Sequence, residues 1–88
     1  MKVVNLKSSK GIEVPNQFEI TDDKGKYFQS YKTVIALIPS DGGKIKLDSK
    51  YWDYSNTTGK YRNIFLNEKK SETERKINDG TYELTNLN

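Results

Sequence analysis

An α+β fold is what this chain predicts: an antiparallel β-sheet of four to six strands, built as a meander, then two short helices packed on one face, then a C-terminal strand. Three observations carry that expectation. Apolar residues recur with period two as far as Asp48, the period lengthens to about 3.6 after Ser55, and turn-forming clusters separate the period-two runs.

Val3, Val4 and Leu6 make a first short strand, followed by a polar, flexible stretch from Lys7 to Gly11. Val14-Pro15-Asn16 reads as a turn, because proline has no amide to give to a ladder. Gln17 to Thr21 alternates, with Phe18 and Ile20 on one face, and Asp22-Asp23-Lys24-Gly25 is a hairpin turn that Lys26 to Tyr31 completes. Thr33 to Ile38 is apolar on both faces, which predicts a central strand covered on both sides. Pro39 to Gly43 is a turn, and Lys44 to Asp48 returns with Ile45 and Leu47 pointing inward.

Tyr61, Ile64 and Phe65, spaced i, i+3 and i+4 behind the candidate N-caps Ser55, Asn56 and Thr57, predict a helix despite Gly59 in its first turn. A second helix follows from Ser71-Glu72-Thr73-Glu74, a capping box in which the Glu74 amide donates to the Ser71 hydroxyl. Arg75 and Lys76 complement its C-terminal dipole, Glu72 and Lys76 form an i, i+4 pair, and Gly80 stops it. Only Ile77 serves the core, so this helix is marginal by itself. Thr81 to Leu87, with Tyr82, Leu84 and Leu87, is the final strand.

The length of 88 residues suits a single domain, 1–88, with 1–16 peripheral or flexible. Cysteine and histidine are both absent, which removes disulfides, the commonest nucleophile, the commonest general base and the commonest soft metal ligands. No cofactor, metal or catalytic residue is therefore expected, and the function class is binding rather than reaction. The apolar runs are too short for a membrane span and the N-terminus does not read as a signal peptide, so the expectation is a soluble, cytoplasmic protein. The net charge of +3 comes from fifteen basic and twelve acidic residues that are interspersed along the chain, which neither requires nor excludes an anionic partner.

Lys50 to Asn67, KYWDYSNTTGKYRNIFLN, is the densest stretch and contains the only tryptophan. Tyr51, Trp52, Tyr54, Lys60, Tyr61 and Arg62 make either a surface that stacks bases and contacts phosphates or the aromatic core where helix meets sheet. Trp52 and Tyr54 share strand parity and Tyr61 shares a stripe with Ile64 and Phe65, so these five belong to the seam. Tyr51, Lys60 and Arg62 are the members expected at the surface. Tyr27, Gln29 and Tyr31 alternate on one strand face and make Tyr27 and Tyr31 a second candidate platform, or a partly buried face under the helices. Ser55 to Lys60 lacks GxxxxGK[ST], so helix capping explains its hydroxyls.

The blocks YFQSYKTVIALI (Tyr27 to Ile38), KLDSKYWDYSNTTGKYRNIFL (Lys46 to Leu66) and ETERKINDGTYELTNLN (Glu72 to Asn88) resemble a family of small proteins of unknown function from phages and mobile elements of low-GC Gram-positive bacteria. The resemblance runs from Phe18 to Asn88 and draws nothing from the first seventeen residues. It implies a setting in the cytoplasm of a bacterial host and stoichiometric action on a host or phage macromolecule, for instance on defence machinery such as a CRISPR effector. A host or phage protein is the expected partner, acting on a monomer or an edge-paired homodimer, and a single-stranded DNA or RNA strand is the alternative. The surface assigned to it is Tyr51, Lys60 and Arg62, with Tyr27 and Tyr31.

Overall fold

A computed structural model describes all residues from Met1 to Asn88. Six strands form one sheet: β1 (Lys2–Lys7), β2 (Glu13–Asp22), β3 (Gly25–Ser30), β4 (Thr33–Pro39), β5 (Lys46–Asp48) and β6 (Glu83–Thr85), with α1 (Asn56–Leu66) and α2 (Lys70–Asn78) between the last two. They lie in sequence order across the sheet, so β1 and β6 are its edges. The predicted α+β class, with two helices after a meander and a C-terminal strand, is what the chain adopts.

The last pairing departs from an all-antiparallel sheet: β6 runs parallel to β5. The two helices form a crossover, which returns the chain beside β5 in the same direction, a connection that a hairpin cannot make. Another departure is in β2, which continues through Val14-Pro15-Asn16 instead of turning there. Proline is accommodated because the β1–β2 register breaks between Asn5 and Lys7. Asn16 takes up the irregularity with a φ of 65°.

The expected hairpin turn at Asp22 to Gly25 is present, with the Lys24 amide donating to Asp22 Oδ1 at 2.8 Å. Gly25 has a φ of 147°, and a Cβ there would collide with the Ile38 carbonyl oxygen, so glycine is required.

Alternation on β3 sends Phe28 and Ser30 toward the helices, where both are buried, and leaves Tyr27 and Gln29 half-buried on the opposite face. Phe28 meets Phe65 of α1 with ring centroids 5.8 Å apart. Phe28, Ile35, Ala36 and Leu47 from the sheet, Tyr61 from α1 and Tyr82 ahead of β6 make up the core. Beyond Ile35 and Ala36, the neighbours Val34 and Leu37 of β4 are only half-buried, so the central strand is not sealed on both faces as expected.

Ser55 caps α1: its Oγ accepts the Thr58 amide at 3.1 Å. Asn67, left-handed at φ 55°, closes the other end. The capping box expected at Ser71 does not form. Helix α2 begins two residues earlier, with Lys69 as a cap that makes no side-chain hydrogen bond, and this places Ser71 inside the first turn. Gly80, at φ 83°, stops α2 as predicted.

What anchors α2 is Glu68, whose side chain is 3% exposed and is in an ion pair with Lys76 at 2.7 Å. It also accepts from the Thr73 hydroxyl at 2.6 Å and the Tyr82 hydroxyl at 2.8 Å. Lys76 thus pairs with Glu68 rather than with Glu72. Burial pushes the Glu68 carboxyl up, but the bonds from Lys76, Thr73 and Tyr82 outweigh it and hold the group below its ordinary value. Leu84 is exposed on the edge strand. Neither helix is long and apolar enough to cross a membrane.

Candidate binding cleft

The residues from Ser49 to Tyr54 are not extended. Asp48 folds them back: its Oδ2 accepts the Lys50 amide at 3.1 Å and the Tyr51 amide at 2.9 Å, while its carbonyl accepts the Trp52 amide at 3.0 Å. Strand parity therefore does not apply. Trp52 packs against the core, whereas Tyr54, two positions on, is 71% exposed. The Tyr51 and Tyr54 rings meet edge to face, 5.5 Å between centroids.

Opposite this loop stands the β3–β4 turn. Tyr31 occupies it with a φ of 56° and is 58% exposed. A bulky residue in the left-handed region costs about 1 kcal/mol or more and persists only where the surroundings impose it. Here the Tyr31 amide donates to the Asn16 carbonyl at 2.7 Å, and Asn16 is itself left-handed. A strained Tyr31 is thus braced on one wall by Asn16, a residue type that tolerates this conformation.

Between loop and turn lies a cleft of about 580 Å³. Tyr31, Tyr51 and Tyr54 line it together with Asn16, Lys32, Thr33 and Ile35, and its floor holds Ser30, Ser55 and Thr58. The three hydroxyls are linked, Ser30 to Thr58 at 3.1 Å and Ser55 to Thr58 at 3.1 Å. No carboxylate belongs to the lining. No carboxylate or amine side chain is hydrogen-bonded to the hydroxyls, so the arrangement offers ring faces and neutral polar groups. Lys50 adds a cation 5.3 Å from the centre of the Tyr51 ring.

Beside Ser30 in the sheet register is Gln17, 0% exposed, whose amide nitrogen and oxygen both lack a hydrogen-bond partner within the protein. Such a group costs about 1–3 kcal/mol when unpaired.

A second hollow, about 530 Å³, opens on the other side of the start of α1 and shares Ser55 with the cleft. Lys60, Arg62, Lys70 and Asp53 line it. Asp53 bridges two of the cations, Arg62 at 3.1 Å and Lys70 at 2.7 Å. Burial pushes the Asp53 carboxyl up, but Lys70 and Arg62 more than offset this and hold it low, and Asp53 in turn raises the Lys70 ammonium.

Of the residues singled out from the sequence, Tyr31 and Tyr51 come together in the cleft, and Lys60 lies in the neighbouring hollow. Tyr27 does not join them; it pairs with Ile20 and Leu37 on the opposite face of the sheet. Arg62 corrects the expectation of an exposed cation, since it is 1% exposed. It falls on the inward stripe of α1 with Thr58, Tyr61 and Phe65, donates to the Trp52 carbonyl at 2.8 Å and to Asn63 Oδ1 at 3.0 Å, and lies over the Trp52 ring. Ile64, expected on that stripe, is exposed. Tyr54, assigned to the seam, is a cleft residue, and the Asp48 side chain that turns the loop is the signal that points to it.

Two of the segments that carry the family resemblance, Tyr27 to Ile38 and Lys46 to Leu66, supply every lining residue of the cleft except Asn16. Neither a curated protein nor a solved structure matches the chain. A family model, described as a family of unknown function, matches residues 1–80, which includes the N-terminal stretch that the resemblance left out. The chain therefore belongs to that family, DUF8033.

Proposed function

We propose that this protein is a non-enzymatic binding protein that captures a macromolecule stoichiometrically in the tyrosine cleft. The observation that carries the reading is the convergence of Tyr31, Tyr51 and Tyr54, from two separate segments, on one hollow of about 580 Å³. Two of these rings are more exposed than buried, and large amphipathic rings held at a concave surface are the anchors that binding sites favour. The resemblance supplies the setting, a phage or mobile-element accessory protein that acts in the bacterial cytoplasm on a host or phage macromolecule, including defence machinery.

Affinity capture from cells tests it with two variants. Tyr31→Asn/Tyr51→Ala/Tyr54→Ala is expected to lose the captured macromolecule while keeping its circular dichroism spectrum. Tyr27→Ala, on the opposite face of the sheet, is expected to retain it. Equal recovery by the triple variant and the native protein overturns the assignment of the cleft.

A further inference from the structure

We infer that the ligand of this cleft is a single-stranded nucleic acid whose bases stack on Tyr31, Tyr51 and Tyr54 and whose phosphates follow the surface past Ser55 into the neighbouring hollow. This rests on the cleft being the binding site. The first argument is the placement of charge. Lys32, Lys60, Arg62 and Lys70 line the two hollows against one carboxylate, Asp53. Those four of the fifteen basic residues and one of the twelve acidic residues leave a surplus of three, and the eleven of each sign elsewhere in the chain cancel. Lys32 lines the tyrosine cleft itself, Lys50 lies beside the Tyr51 ring, and Lys60, Arg62 and Lys70 line the hollow next to it.

Second, the one carboxylate is already shared by Arg62 and Lys70, so it does not neutralise Lys60 or Lys32. The first turn of α1, between the hollows, carries no acidic residue to offset the positive end of its dipole. Third, the buried Arg62 guanidinium, tied to the Trp52 carbonyl and Asp53, holds the wall of the hollow in place and leaves Lys60 and Lys70 as its exposed cations. Within the cleft a protein partner would find one aliphatic side chain, Ile35, among hydroxyls and rings, whereas bases need ring faces and a strand backbone needs cations beside them. A duplex hides its base faces, so a single strand is the form that fits.

Fluorescence anisotropy with labelled ten-nucleotide oligo(dT) and oligo(U), and with a duplex of equal length, tests the assignment. Single strands are expected to bind at 50 mM salt and the duplex more weakly. Three phosphate contacts give a slope of about −2 in log affinity against log salt, or about 18-fold weaker binding at 200 mM. Lys32→Gln/Lys60→Gln is expected to flatten that slope by about 1.4, while Lys7→Gln/Lys10→Gln, outside both hollows, leaves it unchanged. Tyr31→Asn, a residue that tolerates the left-handed backbone, is expected to cost about fivefold or more in affinity.

Equal binding of the duplex, or a salt slope untouched by Lys32→Gln/Lys60→Gln, overturns the proposal. So does the absence of oligonucleotide binding at 50 mM salt. If in that case the triple tyrosine variant still loses a nuclease-resistant protein partner, the cleft stands and only its ligand was misassigned; if it loses nothing, both readings fall.

Discussion

Glu68 and the tyrosine cleft lie at opposite ends of α1, and both use polar side chains to tie helix to sheet. At Glu68 every demand is met: a carboxylate 3% exposed receives Lys76, Thr73 and Tyr82, three donors from two flanking elements. The cleft leaves demands open. Its backbone is strained at Tyr31, the Tyr31 and Tyr54 rings are exposed, and the Gln17 amide beside Ser30 has no partner in the protein. A small fold with a core of six buried hydrophobic residues has little stability to spare, so the contrast separates a fastening from a site.

That contrast breaks most visibly at Glu68. Glu68→Ala is expected to cost about 3 kcal/mol in urea unfolding, the lower end for removing one partner of a buried ion pair, because Lys76 keeps some access to water. The pH dependence follows with a definite sign. In the fold the carboxyls of Glu68 and Asp48 lie below their ordinary values of 4.5 and 3.8, so they favour the folded state above those values. The contribution is lost as pH falls through the lower folded-state values. Glu68→Gln is expected to flatten the acid limb of a stability profile between pH 5 and 2, and an unchanged limb would show that Glu68 is not the fastening described.

Gln17→Met tests the other region and should have the opposite sign. Replacing an unpartnered buried amide with an apolar side chain of similar size is expected to raise stability by about 1–2 kcal/mol. A loss of stability instead would mean that the amide is hydrogen-bonded through ordered water. The smallest effect is expected at Tyr31→Asn, where relief of the left-handed backbone leaves thermal stability unchanged or higher by up to about 1 kcal/mol. Binding at the cleft should fall in the same variant, so that stability and function separate at one residue.

Much of the scaffold could be read from local pattern. The alternation along β3 separated Tyr27 and Gln29 from Phe28 and Ser30 without saying which pair faces the helices, while Ser55 announced the start of α1 and Gly80 its successor's end, because each of these depends on neighbours within one turn or one strand. The site was only half legible. Tyr31 and Tyr51 were recognised as candidates, but they were assigned to separate surfaces, and Tyr54 was placed in the core by a strand parity that Asp48 abolishes. Arg62 looked like a free cation because its partners, the Trp52 carbonyl and Asp53, lie a loop away. Ser71 looked like a cap because nothing local reveals that α2 already begins at Lys70.

The sequence by itself determined the class of fold, the order of its elements and the absence of the side chains that commonly carry catalysis or bind soft metals, since periodicity and composition are properties of short windows and totals. Only the tertiary structure decided that β6 joins in parallel, that Arg62 is buried, and that Tyr31, Tyr51 and Tyr54 share one hollow beside another lined by Lys60, Arg62 and Lys70. Each of these depends on which distant segment supplies a partner, and that choice is made by packing rather than by any run of residues.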